Sequence, residues 1–193
     1  GTMVRPKTSE PGPVLLSAQA YPKEDQYTDL IPEGFSHTRG HMEAGDSEFF
    51  ARRGYGHIII NVRGTGASGG TYDNLGARSI QDICEAIAWI AEQDWCDGNV
   101  GMFGMSYFAI VQNLVAAKNP PALKAIFAPF AYTDMYRDRY YHGGILSHGF
   151  MKMWLPTLSN PRLAPLLRDE IGDEKFEELM EAARSDEDLQ AVP

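Results

Sequence analysis

The 193 residues can bury one good core, are 44% hydrophobic, and contain no apolar run of the roughly 18 residues that a membrane-crossing helix requires. The net charge of −9 is local: Arg168 to Asp188 holds ten acidic residues against three basic, a net −7, and the remainder is close to neutral. There is thus no basic face for nucleic acid, the acidity reads as the solvated side of carboxy-terminal helices, and Cys84 and Cys96, without metal-ligand spacing, read as free thiols of a cytoplasmic protein.

In chain order, Gly1-Thr2-Met3 reads as an added remnant, no signal pattern is visible, and Val4-Arg5-Pro6 looks like the end of an early strand. Pro13 to Ala18 is an apolar run of strand length. Ser47 to Arg53 has helical spacing and stops at Gly54, followed by a second strand-like run, His57 to Val62. A Gly-rich stretch, Gly64 to Gly69, leads into turn sequence up to Gly76, and a helix is expected from about Arg78. Its Ile80, Ile83, Cys84, Ile87 and Ile90 fall on one face. Val100 to Gly104 is a third strand. After Ser106, Ile110, Val111, Leu114 and Val115 repeat the helical spacing until Asn119-Pro120-Pro121, and Leu123 to Ala128 is a fourth strand. From Arg139 the chain turns aromatic and Met-rich, then acidic and helical.

Buried strands alternating with helices imply an α/β fold, with a mostly parallel sheet flanked by helices. The expected division is a core over residues 1–144 and part of a helical cap over 145–193. Ligands of such sheets gather at the carboxyl ends of the strands, where Ser106 falls. Gly104-Met105-Ser106-Tyr107 has the form of a nucleophile elbow, a sharp strand-to-helix turn that lifts a serine hydroxyl clear of the sheet. The Tyr107 N–H, at the start of the following helix, would face the oxygen on which negative charge develops. One feature departs from the Gly-x-Ser-x-Gly pattern: the fifth position is Phe108, and the small residue comes one later, at Ala109.

Three blocks together resemble the Xaa-Pro dipeptidyl-peptidase and cocaine-esterase family of α/β-hydrolases, which also holds α-amino-acid ester hydrolases and related acylases. They are Phe50 to Gly56 with Asn61 to Gly70; Ala88 to Gly101 running into Gly104 to Tyr107; and Leu123 to Ile126 followed by Asp134-Met135-Tyr136 and Gly143-Gly144. The resemblance covers about residues 13–146. It implies the α/β-hydrolase fold and an acyl-enzyme formed on Ser106, with Tyr107 N–H and the Tyr21 hydroxyl as the oxyanion hole. It also implies an acid and a histidine on later strands beyond the cap, so the chain reads as truncated at both ends and as nearly inactive alone. Substrates implied are small esters, amides or short peptides, with no metal or organic cofactor, no nucleic acid and no membrane. Homo-oligomerisation and the identity of the acyl group stay open.

Three other readings of the residues compete. Asp134 with His142 or His148 follows Ser106 in triad order, but no strand pattern lies between the acid and either histidine. His37 and His41, four apart, lack a third metal ligand and enclose Gly40. Gly64 to Gly69 matches the dinucleotide-binding fingerprint G-x-G-x-x-G, which requires a helix to open inside the glycine run; turn sequence follows instead. A hydrolase-like scaffold without chemistry is a further alternative.

Overall fold

The structure is a computed structural model and describes residues 1–8, 10–21, 43–152 and 172–185. His37, His41 and parts of the expected cap, residues 153–171 and 186–193, lie outside these residues. The apolar runs become strands β1 (Thr2–Val4), β2 (Gly12–Gln19), β3 (Gly56–Asn61), β4 (Cys96–Phe103) and β5 (Leu123–Phe127), in one sheet of order β1-β3-β2-β4-β5. β2 pairs in parallel with β3 and β4, and β4 with β5, while β1 runs antiparallel on β3. β4 starts earlier than its apolar run, because Cys96 pairs with Gly12 ahead of Val100. Ladder bonds come from the backbone, so polar Asp97-Gly98-Asn99 can belong to a strand that hydrophobicity alone does not reveal.

Helices α1 (Ser47–Ala51), α2 (Ala77–Ala91) and α3 (Tyr107–Ala116) connect or flank these strands. Asp46 caps α1, its carboxylate accepting from the N–H groups of Glu48 and Phe49 at 2.9 and 3.1 Å. Ile80, Ile83, Ile87 and Ile90 of α2 and Val111 and Val115 of α3 share one buried cluster with Val14, Leu16 and Ala18 of β2 and Val100 and Met102 of β4. Each of the valine, leucine, isoleucine and methionine side chains contributes about 1.5–3 kcal/mol by leaving water. Cys84 lies half-buried beside this cluster, and burial pushes its thiol pKa up, which disfavours the reactive thiolate.

Alternate residues of β2 and β3 face a polar lock. Ser17 Oγ donates to the Phe103 carbonyl at 2.7 Å, so its 3.0 Å contact with His57 Nε2 is a donation from the imidazole. With the ring neutral, Nδ1 accepts from Ser47 Oγ at 2.8 Å. Ser17, Ser47 and His57 are all buried. One relay thus ties α1, β3, β2 and β4 together. This serine–histidine contact satisfies buried polar groups within the core and does not involve Ser106.

The Gly64 to Gly69 loop closes on itself. Gly64 N–H bonds the Gly69 carbonyl, Thr65 N–H the Val62 carbonyl, and Ser68 N–H the Thr65 carbonyl. Gly64 has φ +68°, and an added Cβ would collide with the backbone N of Tyr72, so glycine is needed for the turn. α2 opens only at Ala77, well after the glycine run. The Arg63 guanidinium is engaged in two hydrogen bonds to Asp82 of α2, at 2.6 and 3.0 Å. Those bonds, with the charges of Arg63 and Arg78, hold the Asp82 carboxyl below its ordinary range. The amides of Gly64, Thr65 and Ser68 and the arginine are therefore occupied internally, which does not favour a pyrophosphate site.

The chain divides into two compact units, Gly1–Thr133 and Asp134–Pro193. The second contains a π-helical turn (Tyr136–Tyr140), a short hairpin of β6 (Tyr141–His142) and β7 (Ile145–Leu146), and helix α4 (Asp173–Ser185). Gly143 and Gly144, with φ +60° and +85°, make the hairpin turn. In α4, Phe176 is buried while Asp173, Glu174, Glu177, Glu178 and Glu181 are exposed, so the acidity there is a solvated face. Among the described residues no helix is long and apolar enough to cross a membrane.

Candidate active site

Between the end of β4 at Phe103 and the start of α3 at Tyr107 the chain reverses in three residues. Ser106 has φ 60° and ψ −123°, a backbone state outside the regions open to L-residues that costs on the order of 1–3 kcal/mol. Its surroundings hold it there. Ser106 N–H bonds the Pro129 carbonyl at 3.3 Å, Met105 N–H bonds the Glu43 carbonyl at 3.0 Å, and the Ser106 carbonyl accepts from Ala109 and Ile110. The buried Gln112 amide donates to the carbonyls of Gly104 and Phe108, both at 3.0 Å, and so clamps the turn to the helix that follows it.

The aromatic residue in the fifth position is accommodated by the first. Gly104 has φ +137°, and a Cβ added there would stand 2.5 Å from Phe108 Cβ and 2.9 Å from Cγ. The missing side chain at Gly104 leaves the space that Phe108 fills. Gly104→Ala is therefore expected to lower stability by at least about 1–3 kcal/mol, through backbone strain and overpacking, in a urea titration of the complete polypeptide.

Tyr107 opens α3, and no side chain caps that helix, so its first N–H groups keep the free donor capacity of a helix start. The Tyr107 ring is 2% exposed, and burial pushes its phenol pKa far up. Only the backbone of Tyr107 can thus face an oxyanion. Half-buried Tyr21, just past the end of β2, packs edge-on against the Tyr107 ring with centroids 5.9 Å apart. The three residues singled out in the sequence, Ser106, Tyr107 and Tyr21, therefore gather at the carboxyl ends of the adjacent strands β2 and β4.

Two residues at the elbow were not singled out in the sequence. Gln112 lies on the buried face of α3, where a polar residue in an apolar stripe was the available clue. Glu43 had none: its backbone carbonyl accepts from the Met105 N–H at 3.0 Å, and burial raises the pKa of its carboxyl. Asp134 and His142 of the second unit have other engagements. The Asp134 carboxylate takes the Arg137 N–H at 3.0 Å and pairs with its guanidinium at 3.6 Å, and His142 Nε2 contacts the Asp138 carbonyl. Among the described residues no group of three or more His, Cys, Asp or Glu could hold a metal ion.

A mostly parallel sheet with helices between its strands, and a strained serine between a buried strand and the next helix, define the α/β-hydrolase class. The chain belongs to the X-Pro dipeptidyl-peptidase (S15) family, whose sequence model matches residues 2–191. It is 35% identical over 156 residues to the cocaine esterase of Rhodococcus sp., covering 79% of this chain and 25% of the esterase. To the Xaa-Pro dipeptidyl-peptidase of Lactobacillus helveticus it is 23% identical over 116 residues, which are 52% of this chain and 15% of the peptidase. A crystal structure of a CocE/NonD family hydrolase from Staphylococcus aureus superposes with a TM-score of 0.74 at 32% identity, over 82% of this chain and 31% of that one. The chain thus spans about a third or less of the length of these relatives.

Proposed function

We propose that the protein is a serine hydrolase that cleaves an ester or amide bond through an acyl-enzyme on Ser106. The observation that carries this reading is the backbone of Ser106: a non-glycine residue at φ 60°, ψ −123° between a buried strand and a helix start is strain maintained where a hydroxyl must project. In the proposed reaction Ser106 Oγ attacks the carbonyl carbon, and its proton passes to the triad histidine. Tyr107 N–H and the Tyr21 hydroxyl hold the oxygen that becomes negative. Collapse expels the alcohol or amine, which takes the proton from the histidine, and water then releases the acyl group. By resemblance to the family, that histidine and its acid are expected outside these 193 residues, and the chain alone is expected to be nearly inactive.

In this reading residues 1–144 supply the hydrolase core, and 145–193 part of a cap that selects the acyl group. The substrates are small esters, amides or short peptides, and the residues gathered around Ser106 require no cofactor for this chemistry. The unpaired Cys84 and Cys96 agree with a reducing, cytoplasmic setting. The test is hydrolysis of p-nitrophenyl acyl esters against Xaa-Pro p-nitroanilides by the complete polypeptide. Turnover of either series is expected, with the preferred series giving the acyl class; hydrolysis of neither, by a folded and active-site-labelled protein, would overturn the reading.

A further inference from the structure

Ser106 joins two rigid pieces, the end of β4 and the start of α3. On the strand side the Gly104–Met105 peptide is held at both edges: its carbonyl accepts from Gln112 Nε2 at 3.0 Å, and its N–H donates to the Glu43 carbonyl at 3.0 Å. The next peptide is held by the Ser106 N–H on the Pro129 carbonyl at 3.3 Å. On the helix side the Ser106 carbonyl accepts from Ala109 and Ile110. Of the strand-side partners, Gln112 is the one carried by α3, and its amide also donates to the Phe108 carbonyl in the first turn of that helix at 3.0 Å. One side-chain amide thus spans the nucleophile, with one proton on the strand end and the other on the helix.

Side chains of a helix lean toward its amino end, which is how Gln112 reaches back to the turn before α3. It is fully buried on the same helix as Val111 and Val115 of the apolar cluster, and its Oε1 finds no hydrogen-bond partner among the described residues. A buried acceptor without a partner is costly, so packing alone would be served as well by an apolar side chain of the same length. Such a side chain could not set the strand end against the helix. We propose that Gln112 is a positioning residue for the reaction: by clamping the Gly104 carbonyl to α3, it fixes Ser106 Oγ relative to the Tyr107 N–H, which belongs to the helix. This rests on Ser106 being the nucleophile and Tyr107 N–H an oxyanion donor. Gln112 touches no substrate and moves no proton. Without the clamp the strained backbone of Ser106, at φ 60° and ψ −123°, is free to relax, and relaxation turns Cα–Cβ, and with it Oγ, away from its place beside the donor.

Gln112→Met in the complete polypeptide keeps the length of the side chain and removes both donors. Its maximal rate of labelling by a fluorophosphonate is expected to fall by about 10- to 100-fold, the range that a misplaced reacting group produces. The half-saturating concentration of the reagent should stay within about twofold, because the clamp acts on the reacting step rather than on binding. The urea midpoint should stay close to that of the wild type, since the variant gives up the bonds to two carbonyls but also the unpaired Oε1. Gln112→Glu, which keeps the shape and replaces two amide protons with at most one, is the second variant and should also label more slowly than the wild type. A wild-type maximal rate in either variant would overturn the proposal. So would a loss of rate matched by a lowered midpoint and a raised half-saturating concentration, which would assign Gln112 to stability alone. Labelling of Ser106→Ala at the wild-type rate would instead remove the nucleophile reading itself, so the two failures are distinguishable.

Discussion

Ser106→Ala in the complete polypeptide is expected to abolish covalent labelling by an activated phosphonate and to lower kcat by about a million-fold, the scale of loss when a triad serine is deleted. What remains is the rate supplied by the oxyanion hole and binding, roughly 1000- to 10000-fold above water. Folding should survive. The hydroxyl contributes no core packing, so stability is expected to change by no more than about 1–3 kcal/mol. Intact-mass spectrometry after labelling reads the first result and a urea titration the second. Equal adduct formation on wild type and variant would place the nucleophile elsewhere. A wild type that takes no label would favour the scaffold alternative, in which the elbow persists without chemistry.

Tyr21→Phe is expected to slow turnover by about 100- to 1000-fold, the usual loss when one oxyanion donor is removed, while KM moves far less. The physical reason is that the proposed hydrogen bond strengthens only as the carbonyl oxygen becomes negative, so it is absent from substrate binding. The placement of Tyr21 supports the assignment. Its ring lies edge-on against Tyr107 at 5.9 Å, and its hydroxyl is shielded from solvent, unlike that of an exposed loop tyrosine. Phenylalanine keeps the ring packing, so the variant isolates the hydroxyl. Steady-state kinetics on a p-nitrophenyl ester separate the outcomes, and an unchanged kcat would assign the second donor to another group.

Much of this protein follows from local sequence pattern. The isoleucine stripe of α2 and the apolar runs of β2, β3 and β5 appear where their spacing puts them, because burial on one helical face or on both faces of a strand leaves a periodic trace within a few residues. The elbow is legible for the same reason: a strand end, a glycine, a serine and a helix start are consecutive. Tertiary structure decided what sequence neighbours cannot encode. It set His57 between Ser17 and Ser47, and it tied the elbow to the Glu43 and Pro129 carbonyls through the Met105 and Ser106 N–H groups. Each of these depends on segments distant in the chain meeting at one strand end or one sheet face. A polar residue's partner is chosen by that meeting, and its own neighbours in sequence carry no record of it.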